Sequence, residues 1–478
     1  MDGVRLLSVL PFAHRFLQNA DSMEETASSA KTISPSILAI GMSNEDLCTR
    51  CGTCVGACPT QAIELDDRRF PRLIPDRCTE CRLCHTTCPG ARVDYLRLTQ
   101  LTFGHDRDDP SFDGHVLETY MGYCTDERIR SGGAGGGIVT ALCWDLLKHG
   151  DVDGCIVARM NPDVPWRGEA FIARSYEELL ESQGSKYTIV PVNAIFQEVR
   201  RLPGRYAYVA LPCQAHGFRL LLAEEPALRE KIPYVIGLFC GGALEPNLVT
   251  ELLEARGIDV GNVREFKFRG GDWPGRMQAV LKDGTVRDLH ESNYKDGAYN
   301  YFTGLYMPKR CQTCIDGSGQ FADISISDAW TRDDQGKYLY ESHSRMLART
   351  PAGVELLHRA IERGTIVAHD VTRDANYKTH KIQTKRKGTN APLRVARLLR
   401  AGNGAPIYDR PPPEATLREK LTERGASFLL WMGQFRWFRF PLMKFLTSRG
   451  ALPLIRFRLW RKKRKYARSA KRKASKSN

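Results

Sequence analysis

The sequence contains the run Cys48-Thr-Arg-Cys51-Gly-Thr-Cys54-Val-Gly-Ala-Cys58-Pro59, and its pattern returns as Cys78-Thr-Glu-Cys81-Arg-Leu-Cys84-His-Thr-Thr-Cys88-Pro89. Both runs follow the spacing C-x2-C-x2-C-x3-C-P. In this spacing three thiolates hold one 4Fe-4S cluster, while the fourth cysteine ligates the neighbouring cluster. The alternative is a pair of structural zinc sites, because C-x2-C is also a zinc spacing. The repeated fourth cysteine with its proline favours two 4Fe-4S clusters.

The exchange of the fourth ligand divides the eight cysteines into two sets. One predicted cluster is held by Cys48, Cys51, Cys54 and Cys88, and the other by Cys58, Cys78, Cys81 and Cys84. The proline after each fourth ligand turns the chain away from the cluster. Residues 62–65 fit the short strand that lies beside the clusters in such modules. We predict an α+β ferredoxin-like domain at residues 41–100.

The composition is that of a soluble protein with two or three domains. The chain has 478 residues, 42% hydrophobic and 26% charged. Disulfide scaffolds are short, so the clustering of eight of fifteen cysteines indicates metal binding in a reducing, cytoplasmic compartment. Residues 1–40 are predicted to be a flexible leader without a secretory signal. No apolar run reaches the ~20 residues of a transmembrane helix.

Residues 114–377 have the pattern of an α/β body with a mixed, largely parallel sheet. The run Ser131-Gly-Gly-Ala-Gly-Gly-Gly137 precedes a helix predicted over 138–148. A glycine-rich loop at a helix N-terminus can cradle a pyrophosphate, although a merely flexible loop has the same composition. Strands that alternate with helices predict parallel pairing. The predicted strands are 154–159, 206–211 and 234–239.

Four further cysteines lie in this body. Cys213 and Cys240 follow predicted strands, where ligands of parallel sheets bind, and Cys311 and Cys314 form a C-x2-C pair. Four cysteines are the number that a third 4Fe-4S cluster needs, and separate structural cysteines are the alternative. Three others are predicted to pack as small hydrophobic residues, namely Cys124, Cys143 and Cys155.

Together these motifs resemble the coenzyme F420 hydrogenase/dehydrogenase beta-subunit family over roughly residues 46–330. Besides the ferredoxin runs, the matching stretches are Ser131-Gly-Gly, Gly184-Ser-Lys-Tyr187, Leu211-Pro-Cys-Gln214, Gly237-Leu-Phe-Cys240, Gly270-Gly-Asp-Trp-Pro-Gly275, Cys311-x2-Cys314 and Ala322-Asp-Ile-Ser325. The resemblance implies an FAD held by the body. It assigns the FAD contacts to Ser131, Gly132, Gly133, Ser185, Lys186 and Tyr187. Trp273 is then either a stacking face for the flavin or a core residue.

The resemblance implies an oxidoreductase that passes electrons between a hydride carrier, F420 in the first place, FAD and 4Fe-4S clusters. A redox partner protein or a substrate would exchange electrons with the clusters, and a homo-oligomer is a further expectation. The family also includes the reductase of 7-hydroxymethyl chlorophyll, so a ferredoxin-dependent reductase is an alternative. A non-catalytic electron-transfer subunit of a larger complex is another. Hydride transfer to a flavin needs no side-chain base, and no catalytic residue is predicted.

Residues 378–478 form a basic helical extension beyond this resemblance. The chain carries a net charge of +15, and residues 425–478 contain sixteen Lys and Arg but no Asp or Glu. Phe, Leu and Trp alternate with these cations over 426–460. This pattern favours peripheral contact with the anionic inner face of a membrane over nucleic acid. The alternative is a pair of helices that pack on the body, followed by a solvated tail.

Overall fold

The computed structural model describes residues 33–294, 299–333, 337–373, 381–461 and 464. Most of the predicted leader and the end of the basic tail lie outside the described residues. Of the predicted leader, Leu38 and Ala39 are buried. They pack beside the cysteine runs.

Each cysteine run of the ferredoxin module bends through a residue with positive φ into a short helix. Gly52, with φ 85°, precedes α1, and Arg82, with φ 66°, precedes α2. An antiparallel hairpin of β1 and β2 lies between the two runs. The elements are α1 (Thr53–Ala57), β1 (Ile63–Leu65), β2 (Pro71–Leu73), α2 (Leu83–Thr86), β3 (Arg92–Val93) and α3 (Tyr95–Phe103).

The strands of the body are β4 (Glu118–Cys124), β5 (Gly154–Met160), β6 (Gly168–Ala173), β7 (Tyr206–Ala210), β8 (Tyr234–Leu238), β9 (Val263–Gly270), β10 (Arg276–Leu281), β11 (Val286–Asp288), β12 (Ile324–Asp328), β13 (Ser344–Ala348) and β14 (Ile366–Asp370). Eight of them form one mixed sheet in the order β14-β4-β13-β12-β8-β7-β5-β6, and β9 to β11 form a smaller antiparallel sheet.

The large sheet is parallel only at its centre. The strands β12, β8, β7 and β5 pair in parallel, whereas β6, β13, β4 and β14 pair antiparallel. The prediction of a mixed sheet is correct, but the prediction of a largely parallel one is wrong for the outer strands. A parallel pair needs a long crossover, and the short turn from β5 to β6 permits only antiparallel pairing.

Helices cover both faces of the large sheet. On one face α5 and α13 pack over a core that contains Cys124, Cys143 and Cys155, which confirms their prediction as hydrophobic residues. On the other face α7 and α8 pack over Tyr208, and Ala57 of the ferredoxin module joins the same core. The helices are α4 (Glu127–Gly132), α5 (Ile138–Lys148), α6 (Tyr176–Glu181), α7 (Phe196–Arg201), α8 (Pro212–Glu224), α9 (Leu228–Lys231), α10 (Asn247–Ala255), α11 (Tyr299–Leu305), α12 (Lys309–Gln312) and α13 (Pro351–Glu362).

Polar contacts fix the ferredoxin module to the body. The Asn193 side chain donates to Thr53 Oγ1 over 2.9 Å, and its backbone N–H donates to the Cys51 carbonyl over 3.1 Å. Arg50 and Glu245 form an ion pair across the same interface. Because these bonds involve the loop that carries Cys51, they hold its position relative to the body.

The C-terminal extension packs on both preceding parts. Its strand β15 (Ile407–Tyr408) pairs in parallel with β3, and Asp409 accepts hydrogen bonds from the first N–H groups of α3. A buried ion pair between Arg394 and Glu423 joins α15 to α16. No helix of the described ranges has the length and apolar character to cross a membrane. The helices are α14 (Lys381–Gln383), a π-helical turn (Thr384–Asn390), α15 (Ala391–Arg400), α16 (Leu417–Met432), α17 (Arg436–Leu446) and residues 452–461.

Candidate redox site

The first set of ferredoxin cysteines lies together at the interface with the body. Burial raises the pKa of Cys48 to about 12, and the adjacent Cys51 and Cys88 thiols add to this effect. Burial and the same neighbours also raise the pKa of Cys54. The structure therefore brings together the four cysteines that the spacing assigns to one cluster, including Cys88 from the second run.

The second set lines a small cavity near the protein surface. Its walls include Cys58, Cys78, Cys81 and Cys84, with Leu38 and Leu73 among the apolar residues around them. Burial raises the pKa of Cys84 to about 11, with contributions from Cys58 and Cys81. Cys81 is exposed. A cavity walled by four thiols fits a 4Fe-4S cluster, and the exposed ligand places this cluster site next to solvent.

The four body cysteines form a third set. Burial raises the pKa of Cys213, and Cys51, Cys240, Cys311 and Cys314 raise it further. Cys213 begins α8, Cys240 follows β8, and the C-x2-C pair spans α12 and the residue after its C-cap, so the fold gathers residues from three separate segments. The proximity of Cys51 to Cys213 means that the third set adjoins the first.

Each of the three sets contains four cysteine thiols. Within the described ranges, no three His, Cys, Asp or Glu side chains converge on the position of one metal ion. The four cysteines of a 4Fe-4S cluster bind four different irons, so they stand farther apart than the ligands of a single tetrahedral ion. Four thiols in each set are the donor number and type that such a cluster requires.

A pocket of about 290 Å³ lies at the carboxyl ends of β5, β7, β8 and β12. Open sheets with parallel strands bind ligands at this edge. The volume is close to the lower end of the ~300–1,000 Å³ that is typical of small-molecule sites. The loop before α5, residues 182–188 and residues 238–243 supply much of the lining.

The glycine-rich loop before α5 borders this pocket, and its backbone is packed so closely that two of its glycines leave no room for a side chain. Gly137 has φ 74°, and a Cβ there would lie 2.9 Å from the Ile129 carbonyl oxygen. A Cβ on Gly136 would lie 2.6 Å from the Gly122 carbonyl oxygen. No side chain of the described residues caps the N-terminus of α5, so its first N–H groups are available to an anionic ligand.

Four of the six predicted FAD contacts line the pocket, namely Gly133, Ser185, Lys186 and Tyr187. Ser131 and Gly132 do not line it, and their assignment as FAD contacts stays a prediction. Both belong to α4, which continues through Gly132, and the Ser131 hydroxyl donates to the Glu127 carbonyl within that helix.

The Lys186 side chain already makes its hydrogen bonds within the protein. Its ammonium donates to the carbonyls of Ser182, Gln183 and Gly184 at the end of α6. Burial lowers the pKa of Lys186 to about 7. Because its donors are already used, Lys186 would offer an anionic ligand its charge rather than new hydrogen bonds.

An aromatic wall and a charged pair complete the pocket, and of their residues the sequence analysis had named only Tyr187. The rings of Tyr187 and Tyr294 stack with centroids 5.3 Å apart, and Trp330 lies 6.3 Å beyond Tyr294. Trp273 stacks on Trp330 at 5.2 Å but does not line the pocket, so it supports the wall from behind. The only sequence indication of Trp330 is its place just after β12, at the edge where ligands bind.

Two buried polar atoms of the pocket have no hydrogen-bond partner within the described ranges. Arg269 donates through Nη1 to both oxygens of Asp328, at 3.1 and 3.0 Å, while its Nη2 is unpaired. The Oε1 atom of Gln383 is also unpaired. Buried polar groups are normally satisfied, so an orphan donor and an orphan acceptor beside aromatic faces fit a polar aromatic ligand such as a flavin.

Cys240 belongs to two features at once. It lines the pocket, and Cys311 and Cys314 contribute to raising its pKa to about 12, after burial as the main cause. The pocket therefore borders the third cysteine set directly. The sites then follow one another as pocket, third set, first set and second set, with the exposed Cys81 at the far end.

Comparison with known proteins assigns the chain to a family. Residues 119–197 match the N-terminal part, and residues 204–374 the C-terminal part, of the coenzyme F420 hydrogenase/dehydrogenase beta subunit. The chain belongs to this beta-subunit family. Residues 42–97 match a 4Fe-4S dicluster domain, which supports two clusters in the ferredoxin module of this beta-subunit relative.

Individual relatives include F420-dependent enzymes and their components. One component of the F(420)H(2) dehydrogenase of Methanosarcina mazei is 25% identical over 66% of this chain and 89% of its own length. The beta subunit of the coenzyme F420 hydrogenase of Methanothermobacter thermautotrophicus is 26% identical over 52% of this chain and 83% of its own. The coenzyme F420-dependent sulfite reductase of Methanocaldococcus jannaschii is 26% identical over 65% of this chain, which spans 45% of that enzyme.

A solved structure, that of the F420-reducing NiFe hydrogenase complex from Methanosarcina barkeri, contains a chain with 21% identity and a TM-score of 0.49. The alignment covers 63% of the present chain and 98% of that chain. The beta-subunit match ends at residue 374, so Gln383 and the rest of the extension come from outside the matched segment. This family member therefore completes its pocket with a residue that the family match does not include.

Proposed function

We propose that this protein is an iron–sulfur flavoprotein oxidoreductase that passes electrons between reduced F420, a bound FAD and three 4Fe-4S clusters. The observation that carries the proposal is the position of Cys240, which lines the pocket and belongs to the third cysteine set. A flavin in that pocket would lie next to a cluster without an intervening layer of protein. The family and its F420-dependent members support F420 as the hydride carrier.

FAD would supply the conversion between two-electron hydride transfer and one-electron transfer. The glycine loop, the N-terminus of α5 and a protonated Lys186 would hold the cofactor. Arg269 would donate its unpaired Nη2 hydrogen bond to a flavin oxygen, while Asp328 keeps the guanidinium in position. Tyr187, Tyr294 and Trp330 provide apolar faces that exclude water and orient an aromatic ring.

The order of the cysteine sets supports electron exchange with a partner at the ferredoxin end. Cys51 adjoins Cys213, and Cys81 is exposed at the opposite side of the module. A redox partner protein would therefore approach the surface around Cys81. Relatives named as subunits support such a partner. The order of the sites would allow electrons to pass in either direction.

The proposal is tested by mixing the anaerobically purified protein with reduced F420, NADPH or NADH. We expect reduced F420 alone to bleach the flavin absorbance, followed by spectral changes of the clusters. Bleaching by reduced ferredoxin and by none of these carriers would instead support a ferredoxin-dependent reductase. Bleaching that requires an added partner protein would support a non-catalytic electron-transfer subunit.

We further propose that the extension contacts an anionic lipid surface. Large apolar side chains are exposed on it, with Phe428 61%, Trp431 52%, Trp437 69%, Phe457 54% and Trp460 48% accessible. The surrounding segment is basic throughout, since residues 425–478 contain no Asp or Glu. Exposed aromatic side chains among cationic ones favour an anionic bilayer as the binding partner over an acidic protein surface.

This surface predicts selective binding to vesicles that contain phosphatidylglycerol. We expect the full chain to float with such vesicles at low salt, but not with pure phosphatidylcholine vesicles, because Lys and Arg add about 1 kcal/mol each near an anionic surface. The double variant Trp437→Ala with Phe457→Ala should bind at least about tenfold more weakly, since each buried aromatic side chain contributes roughly 1.5–3 kcal/mol. Leu339, 55% exposed on the body, supplies the control Leu339→Ala. Equal flotation of the double variant would exclude this surface.

A further inference from the structure

Lys387 is an unusual buried lysine in the segment that follows the family match. It lies in the π-helical turn Thr384–Asn390 and is only 3% exposed. Buried lysines are rare unless they are paired, because desolvation of an ammonium group is costly. The surroundings of this side chain must therefore compensate its charge.

The compensating groups are the cysteines of the third set. The Lys387 side chain makes a hydrogen bond with Cys314 and lies close to Cys240 and Cys311. None of the ion pairs between described residues includes Lys387, so no carboxylate there shares its charge. The nearby Asp316 is engaged elsewhere, since it accepts from His216 at 2.9 Å and from backbone N–H groups of 318–320.

The other cations near the third set have different hydrogen-bond partners. Arg50, which acts on Cys311, is paired with Glu245. Arg310 donates to the carbonyls of Pro89 and Gly90 and to the Tyr408 hydroxyl. Cys314 and Cys311 also act on Arg310, but the guanidinium is directed at these neutral acceptors, whereas the Lys387 ammonium makes a hydrogen bond with Cys314 itself.

We propose that Lys387 raises the reduction potential of the cluster held by Cys213, Cys240, Cys311 and Cys314. The inference rests on the third cluster of the proposed function. Reduction adds one electron, supplied by the reduced flavin, and therefore one negative charge to the cluster, with no bond or proton change. A fixed cation in a buried, low-dielectric setting stabilises the more negative state, and the potential rises as a result.

The same segment also reaches the flavin pocket. Gln383 lies one turn before Lys387 and lines the pocket together with Cys240. The turn thus covers the junction between pocket and cluster, where a higher cluster potential favours electron uptake from the flavin. The segment begins after residue 374, so this tuning comes from a part of the chain that the family match does not include.

The test is a redox titration of the full chain monitored by electron paramagnetic resonance. In Lys387→Met we expect the equilibrium constant for reduction of the body cluster to fall at least tenfold, which corresponds to a potential about 59 mV lower for one electron. Lys387→Arg should keep the wild-type potential. The matched control is Lys309→Met, because Lys309 is an exposed lysine of α12 that pairs with Asp46.

The signal of the body cluster is identified by its absence from Cys213→Ser. If wild type and Cys213→Ser contain the same iron, the third cluster and that part of the proposed function fail. If the cluster is present and Lys387→Met leaves its potential unchanged, the inference about Lys387 alone is overturned. If Lys387→Met does not hold the cluster, Lys387→Gln is titrated instead. Loss of the cluster in both neutral variants, with retention in Lys387→Arg, would replace the tuning role by a role in assembly.

Discussion

Cys213→Ser is expected to lose about four of about twelve iron atoms per chain while the ferredoxin module keeps its two clusters. The reason is that Cys213 belongs to a set of four, and a 4Fe-4S cluster bound by three thiolates and an alcohol is held weakly. Iron and sulfide analysis of the anaerobic protein measures the loss. Flavin reduction by the hydride carrier should persist, whereas subsequent reduction of the ferredoxin clusters should slow strongly.

The control for this variant is Cys143→Ala, since Cys143 is a buried residue of α5 and belongs to none of the three sets. We expect it to keep the wild-type iron content. Unchanged iron in Cys213→Ser would show that the body cysteines are separate structural residues, which is the alternative left open by the sequence. Loss of all iron would show that the ferredoxin clusters depend on the third.

Gly135→Val is expected to weaken FAD binding at least about tenfold. A Cβ on Gly135 would lie 2.8 Å from Asp328 Oδ1, so a branched side chain would fill the pocket and displace the partner of Arg269. Overpacking of this kind costs about 1–3 kcal/mol, and about 1.4 kcal/mol corresponds to a factor of ten in affinity. Titration of the FAD-free protein with FAD, followed by flavin fluorescence, gives the affinity.

Gly425→Val provides the matched control, because a Cβ on Gly425 of α16 would meet nothing within 4 Å. This variant should bind FAD as the wild type does. If Gly135→Val binds FAD with unchanged affinity and remains folded by circular dichroism, the pocket at the carboxyl ends of the parallel strands is not the flavin site.

Local sequence patterns predicted the features that depend on neighbouring residues. The helix expected over 138–148 is α5 (Ile138–Lys148). It could be predicted because both signals, the apolar periodicity of the helix and the glycines before it, lie within the segment itself. The division of the ferredoxin cysteines into two sets stays a prediction, and the structure brings Cys88 of the second run close to Cys48, Cys51 and Cys54. The central strands β5, β7 and β8 were also predicted close to their observed bounds.

Features that depend on distant segments could not be predicted in the same way. The strands β13 and β4 pair antiparallel although more than two hundred residues separate Ser344 from Gly122, and no local pattern encodes that pairing. Trp273 was considered for the flavin face, but it does not line the pocket, and Trp330, on which it stacks, belongs to the aromatic wall. No local pattern distinguishes Lys387 from an exposed lysine, and only the fold places it close to three cysteines.

The contacts of the ferredoxin module with the body have a consequence for the kinetics of the protein. Asn193 binds the Thr53 and Cys51 segment from the body, and β15 pairs with β3 from the extension. The module is thus fixed by contacts with both the body and the extension. Electron exchange between its sites and the body then requires no swinging of domains, and solvent viscosity should leave the internal transfer rate unchanged. Any diffusive step belongs to the encounter with the external donor or acceptor.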